Sequence, residues 1–453
     1  MHIRQNYQRE FFENFFMDFE LDENNELIRI EKELPWDELC EVPGKYYSHS
    51  QGRPTKPSRA KIGLLILKHL YGLSDEELVK QLKGNLHYQY FCDLSPKRAQ
   101  NFINPSSLTK FRKTIGLEGI REIDDIVDKT INALSRKGKR GPKNKHLIMD
   151  TTVAMSPIEY PTDVKLLEKC RRKCVEVIDK AKKYGVDTIF RTYKRIAKKV
   201  VDTHQKLGHH TTKVRRKIQK KLLGWVNRNV KQVEESQNIL KKKLTAVTDT
   251  LKKKVIDRFI DKTAKTLKTI KNILVQQKEM YRGKKIKDRI VSVWNDKIRP
   301  IVRGKYPNKV EFGPKILLVK KGKFLHLAGV YFDNVNDAQL FDPALDYYKE
   351  KWKEAPNSVS TDKGFYSKKN VQRAREEKIK YIAIQKKGKS AAKEKDSWRK
   401  IFYCLRCSIE AKISLAKRKF GMNRIKYRID GAEEMWIRLG LMAMNLKMAV
   451  NTS

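Results

Sequence analysis

No run of apolar residues in this chain is long enough to cross a bilayer. The most apolar stretches, IGLLILKHLYGL and LGLMAMNLKMAV, are short and broken by Lys or His. A membrane is therefore not an expected partner. The opening stretch MHIRQNYQREFFENFFMDFE has neither a continuous apolar segment nor a small-residue cleavage site, so no secretory signal is expected. Cysteine is scarce, with 6 in 453 residues, which argues against a disulfide framework. Cys170 with Cys174 and Cys404 with Cys407 form two close pairs. They could assemble a zinc site, but each pair reads as helical and no further Cys or His cluster supports it. Free thiols are the simpler reading. Acidic residues are also in short supply: 53 Asp and Glu stand against 100 Lys and Arg, a formal net charge of +47.

Such an excess repels itself unless a polyanion is the partner. Nucleic acid fits best. An anionic membrane surface fits less well, because no lipidation motif accompanies the charge. The expected location is the cytoplasm, associated with the nucleoid. With 40% hydrophobic residues the chain can bury a sizeable core, enough for two or three domains.

Residues 1–45 are a mixed, rather acidic N-terminal segment. Three short helices are expected over 46–134. SRAKIGLLILKHLYG starts at Ser58, a capping candidate, and stops at Gly72. SDEELVKQLKGN opens on the capping box Ser74-x-x-Glu77. NPSSLTKFRKTIG stops at Gly116. Helices separated by tight turns, the last one basic, suit a helix-turn-helix-like DNA-binding domain, with Lys110, Arg112 and Lys113 as candidate DNA contacts. A basic Gly/Pro linker spans 135–145.

HLIMD then reads as a buried strand with Asp150 at its C-terminal end. From 164 to 300 strand signals vanish and long amphipathic helices take over. Residues 161–290 carry 39 Lys or Arg against 13 Asp or Glu, more than half of the net charge. This block is either a bundle with solvated Lys faces or a platform for DNA phosphates, and a share of each is expected. Afterwards come a hairpin (KILLVKKGKFLHLAGVYFD), a helix, a short strand ending in Asp362, a helix, the strand IKYIAI, the helix bearing Glu410 and a last apolar helix.

With the helical block as an insertion, the segment 146–450 has the element order of an RNase H-like fold: an α/β architecture (α+β overall), with a mixed sheet and flanking helices. Asp150 and Asp362 stand at strand ends, where open α/β sheets place functional groups. Phosphodiester chemistry with two divalent ions needs hard oxygen ligands, at least three carboxylates gathered from different elements. Glu410, alone in the basic stretch YCLRCSIEAKISLAK, could supply the third. Taken singly these residues have plainer readings: a strand-end cap for Asp150, a turn for Asp362, and an ion pair with Arg406, one helical turn away, for Glu410. Asp333 and Asp337 are decoys among the carboxylates, and Asp337 reads as the N-terminal region of a helix.

The spacing Tyr403-x2-Arg406-x3-Glu410-x6-Lys417 resembles the Y-R-E-K signature of DDE transposases from bacterial insertion sequences. MDTT at 149–152 resembles their first catalytic Asp block, STDKGFYS at 360–367 their second, and NVNDAQL at 334–340 the linking segment between them. The resemblance implies a transposase that binds terminal inverted repeats in double-stranded DNA, cleaves and joins strands with Mg²⁺ (Mn²⁺ as a substitute), and works as a homodimer in a synaptic complex. It implies Asp150, Asp362 and Glu410 as catalytic metal ligands. Arg406 and Lys417 would contact phosphates near the scissile bond, and Tyr403 would support or contact the DNA end. A non-catalytic DNA-binding relative and another RNase H-like nuclease stay open as alternatives.

Overall fold

The structure, a computed structural model, describes residues 21–48, 50, 54–136, 145–206, 211–245, 249–302, 310–386 and 397–451. The expected linker at 135–145 lies mostly outside these residues. Two compact units emerge: Met1–Pro157 together with Pro314–Ser453, and Ile158–Gly313.

The first unit is built on a mixed five-stranded sheet. Its strands are β1 (His146–Val153), β4 (Lys315–Lys321), β5 (Phe324–Tyr331), β6 (Ser358–Thr361) and β7 (Tyr381–Ile384), in the order β5-β4-β1-β6-β7. β4 and β5 form the expected antiparallel hairpin, turning at Gly322, whose φ of 58° is left-handed and favours glycine. β1 is antiparallel to β4 but parallel to β6, and β6 is parallel to β7.

The period of two along β1 sorts its side chains onto two faces. Leu147 and Met149, with Leu317 and Val319 of β4, face a core completed by Phe341, Leu345 and Tyr348 of helix α12 (Phe341–Trp352) and by Phe365. Ile148, with Ile316 and Leu318, faces a second and larger core. That core is lined by α14 (Ser397–Lys419), α15 (Ala432–Val450) and the N-terminal helices.

Those helices are α1 (Glu26–Glu33), α2 (Trp36–Gly44), α3 (Ser58–Tyr71), α4 (Asp75–Gly84), α5 (Leu86–Phe91), α6 (Pro96–Gln100) and α7 (Pro105–Arg136). They share one apolar core with α15 and with Leu325 and Leu327 of β5. Gly72 ends α3 in the left-handed region, and Ser74 caps α4 by accepting the Glu77 amide proton at 3.0 Å. Gly116 interrupts α7 with non-helical angles, so a helix does end there. Ser58 is not the cap expected of it. It is the first helical residue, and Pro57 occupies the cap position without a side-chain hydrogen bond.

The second unit packs α8 (Asp163–Lys183), α9 (Lys194–Lys206), α10 (Thr212–Leu244) and α11 (Thr250–Tyr281), with a small ribbon of β2 (Pro300–Val302) and β3 (Val310–Phe312). Leu222, Val226, Val230 and Val233 recur along α10 at helical spacing and meet Leu167, Cys170 and Cys174 of α8 and Ile270, Ile273 and Leu274 of α11. On the outside, Lys213, Arg215, Lys217, Lys220 and Lys221 of α10 are exposed.

One close approach fixes where α14 ends. A Cβ on Gly440 of α15 would lie 2.6 Å from the Phe420 carbonyl oxygen, just past the end of α14. That oxygen belongs to the backbone and cannot rotate away. Gly440→Ala is expected to destabilise the first unit by roughly 1–3 kcal/mol, as overpacking does, read as a lower thermal unfolding midpoint. An unchanged midpoint would mean that the two segments separate freely.

Candidate active site

The ladder between β1 and β6 stops at the pair Met149–Thr361. β1 does not end at Asp150, as the sequence suggested; it runs on to Val153, held on its other side by β4 as far as the pair Val153–Lys315. β6 instead turns away after Thr361 into a 3-10 turn, Lys363–Phe365. The two parallel strands therefore part here, with Asp150 on one lip and Asp362 on the other. Each is the first residue past the last paired position, and neighbouring strands lie about 4.8 Å apart.

Asp362 is exposed and caps its turn, accepting the Lys363 amide proton at 2.5 Å. Asp150 is half-buried and accepts the Thr151 amide proton at 2.7 Å. Burial pushes the Asp150 carboxyl up to about 6, and the charges of Asp362 and Glu410 push it the same way, against the Thr151 hydrogen bond and the Arg406 guanidinium.

Helix α14 crosses this face of the sheet. Its first turns are anchored by aromatic packing: Phe402 lies 4.8 Å from the His146 ring and 5.6 Å from Tyr381, centroid to centroid. The Ser360 hydroxyl of β6 donates to the Phe402 carbonyl at 3.2 Å. At 100° per residue, Tyr403, Arg406, Glu410 and Lys417 fall on one face of the helix within roughly 60° of one another. They flank the buried stripe Ile409, Ile413 and Ala416. Tyr403 and Lys417 are half-buried.

Arg406 Nη1 donates to Glu410 Oε1 at 2.8 Å, so the plainer reading of Glu410 as an ion-pair partner describes its contact in this structure. Burial works against the Arg406 charge, but Glu410, then Asp362 and Asp150, outweigh it and hold its pKa above the usual value. Asp150, Asp362, Arg406 and Glu410 thus share one electrostatic neighbourhood. Among the described residues no three His, Cys, Asp or Glu side chains converge closely enough to be a ready metal site.

In the N-terminal helices, Lys110 and Lys113 are exposed, but Arg112 is not available for the DNA contact expected of it. It is 2% exposed, bonds Asp75 with both terminal nitrogens and stacks 4.3 Å from the Tyr427 ring. An isolated buried guanidinium would be costly, and Asp75 makes its burial tolerable. Cys404 and Cys407 are exposed on α14, and Cys170 and Cys174 are buried on α8. No helix among the described residues is long and apolar enough to cross a membrane.

Sequence reasoning passed over Asp337. It begins a 3-10 helix, Asp337–Leu340, but its carboxylate turns to the sheet: Oδ1 accepts from the Thr151 hydroxyl at 2.8 Å and from Lys315 Nζ at 3.0 Å. The one available signal was its place in NVNDAQL, between the two Asp blocks.

Residues 15–114 match a family described as a transposase domain, and residues 304–446 match one described as a transposase DDE domain. The second match includes Asp362, Arg406, Glu410 and Lys417; Asp150 lies outside both. A Rhizobium meliloti protein described as uncharacterized protein ORF8 in the nfe locus is 32% identical over 184 residues, 40% of this chain and 85% of that protein. No solved structure matches the chain.

The raised Asp150 pKa has a stability consequence. The folded protein holds this proton more tightly than an unfolded chain with the ordinary value of 3.8. The resulting stability is full below that value and is lost as pH rises through about 6. In metal-free protein, Asp150→Asn is therefore expected to raise the thermal midpoint at pH 7.5, by up to about 3 kcal/mol of stability. The gain should shrink towards zero below pH 4 (roughly the unfolded carboxyl value). Thermal unfolding across this range in EDTA checks it; a pH-independent difference would count against the assigned cause.

Proposed function

The chain belongs to the DDE transposases, and from that premise we propose that Asp150, Asp362 and Glu410 are its metal-holding catalytic carboxylates in a Y-R-E-K transposase of an insertion sequence. One observation carries the reading: two aspartates stand on facing lips where parallel strands part, beneath a helix that presents Arg406 and Glu410. The order β5-β4-β1-β6-β7, with an antiparallel hairpin on one side of the central strand and parallel strands on the other, supports an RNase H-like core.

The donor chemistry suits Mg²⁺, or Mn²⁺ in its place, because every candidate ligand is a carboxylate oxygen. Asp150, Asp362 and Glu410 would hold the ion, Glu410 giving up its bond to Arg406. Bound there, a divalent ion supplies an activated water and neutralises charge on the phosphodiester. The chain does the rest. Burial raises the proton affinity of Asp150, so a cation relieves a strain that is present without it. Arg406, once released from Glu410, is placed to meet the phosphate beside the scissile bond, with Lys417 and Tyr403 on the same helix face towards the DNA end. Lys110 and Lys113 contact the terminal inverted repeat. The exposed Lys and Arg of α10 grip phosphates of the same double-stranded DNA. Two copies of the chain work together in a synaptic complex.

Asp150→Ala, Asp362→Ala or Glu410→Ala is expected to lower single-turnover cleavage of element ends in Mg²⁺ by at least roughly a hundredfold, the order lost when an essential electrostatic group is removed. End binding by gel shift should stay close to wild type. A variant that still cleaves would remove that residue from the assignment. Binding of element ends should also weaken steeply with salt, its logarithm falling linearly with the logarithm of salt concentration. A flat response would mean that the exposed cations of the second unit face only solvent.

A further inference from the structure

Past the pair Met149–Thr361 no ladder bond links β1 to β6, so the sheet does not fix the spacing between Asp150 and Asp362. Their like charges push the two lips apart. Something else must hold them. We propose that Asp337 is a positioning residue for strand cleavage, clamping the two lips together from the opposite face of the sheet. This rests on the assignment of Asp150 and Asp362 as metal ligands.

The geometry is specific. Thr151 follows Asp150, and the alternation of β1 sends its side chain to the far face, where its hydroxyl donates to Asp337 Oδ1 at 2.8 Å. On the other lip, Gly364 lies two residues beyond Asp362. A Cβ there would meet Asp337 Oδ2 at 2.8 Å, so the carboxylate rests directly on that turn. Lys315, at the start of β4, donates to the same Oδ1 at 3.0 Å and to the Val335 carbonyl at 2.6 Å. The buried amide of Asn370, on α13 (Lys368–Glu376), donates to the carbonyls of Ala338 and Phe365, each at 2.8 Å, tying the segment that carries Asp337 to the turn after Asp362.

Capping does not explain Asp337. Asn336 caps the 3-10 helix by accepting the Ala338 amide proton, and Gln339 accepts the Asn336 amide proton in return. Asp337 Oδ1 therefore serves β1 and β4, and Oδ2 lies against the turn after β6. Groups that orient ligands in this way commonly change metal affinity by about 10–100-fold when removed.

The test compares Asp337→Asn, Thr151→Val and Gly364→Ala in the full chain, with Asp150→Ala as reference. Mn²⁺ binding without turnover is read by electron paramagnetic resonance of the free ion. Single-turnover cleavage is read against Mg²⁺ concentration, and end binding and thermal midpoint are measured alongside. Asp337→Asn and Thr151→Val should raise the Mn²⁺ dissociation constant and the half-saturating Mg²⁺ roughly tenfold, with most of the rate recovered at high Mg²⁺ and end binding unchanged. Gly364→Ala, which displaces the Asp337 carboxylate, should shift the metal dependence in the same direction. Should Asp337→Asn fold poorly, Thr151→Val removes only one hydroxyl and carries the same readout. If Asp150→Ala loses Mn²⁺ binding while Asp337→Asn and Thr151→Val keep wild-type Mn²⁺ affinity and Mg²⁺ dependence, the clamp alone is overturned, and a lowered midpoint would then mark Asp337 as a fold residue. If Asp150→Ala keeps Mn²⁺ binding and cleavage, the site assignment fails and the clamp with it.

Discussion

Two parallel strands that stop pairing one residue before their carboxylates create the condition on which the site depends. Inside a ladder, backbone hydrogen bonds hold neighbouring strands at a fixed spacing and side chains alternate away from the plane. At Met149 and Thr361 that constraint ends on one side of β1 and persists on the other, where β4 stays paired to Val153. β1 is thus rigid beyond the parting while β6 is free to turn. Asp150 sits on the rigid lip and is half-buried; Asp362 sits on the turning lip and is exposed. Burial and like charge work in the same direction on Asp150, and this combination is expected where a cation is meant to arrive.

Arg406 occupies the electrostatic position that a cation would fill. Its guanidinium is held by Glu410 at 2.8 Å and is influenced by both aspartates. A helical neighbour four residues away is the simplest partner for an acid in a basic helix. The pair leaves Glu410 little desolvated, since its side chain is 55% exposed, so exchanging the partner does not strand a buried charge. Under the proposed assignment, the ion pair and a ligand role would be two states of one carboxylate rather than rival readings.

Much of this was legible in the sequence, for identifiable reasons. The apolar run HLIMD, the hairpin turn at Gly322 and the stops at Gly72 and Gly116 are local signals, and local physics decided them. Tyr403, Arg406, Glu410 and Lys417 were visible because helical spacing converts directly into a shared face. The end of β1 was misplaced, because a strand's length depends on its partners, and β4 lies more than 160 residues away along the chain. Asp337 was passed over for the same reason. Its position reads as a helix start, and only the fold brings Thr151, Lys315 and Gly364 around it.

Charge shows the limit most clearly. A formal net charge of +47 announces a polyanionic partner but does not say which cations face it. In the N-terminal helices, Arg59, Lys61, Lys68 and Arg112 are each 5% exposed or less. Arg59 pairs with Glu31, Lys68 and Arg112 with Asp75, and Lys61 lies over the rings of Tyr47 and Phe111, where burial lowers it to about 8. The same helices join α15 and α12 through Arg121–Glu434, Arg438–Asp124 and Lys351–Asp128. The helix read as a DNA reader thus gives Arg112 to the core, and α3 gives Arg59, Lys61 and Lys68, where half-paired they would cost more than they return. Helices α8 to α11 keep their lysines out of the core: Arg171, paired with Glu168, is buried, and the other buried polar side chains, such as Gln219, Asn229 and Gln277, are uncharged. Within one chain, then, the same residue types perform two tasks, and the burial of the surrounding helix face decides which.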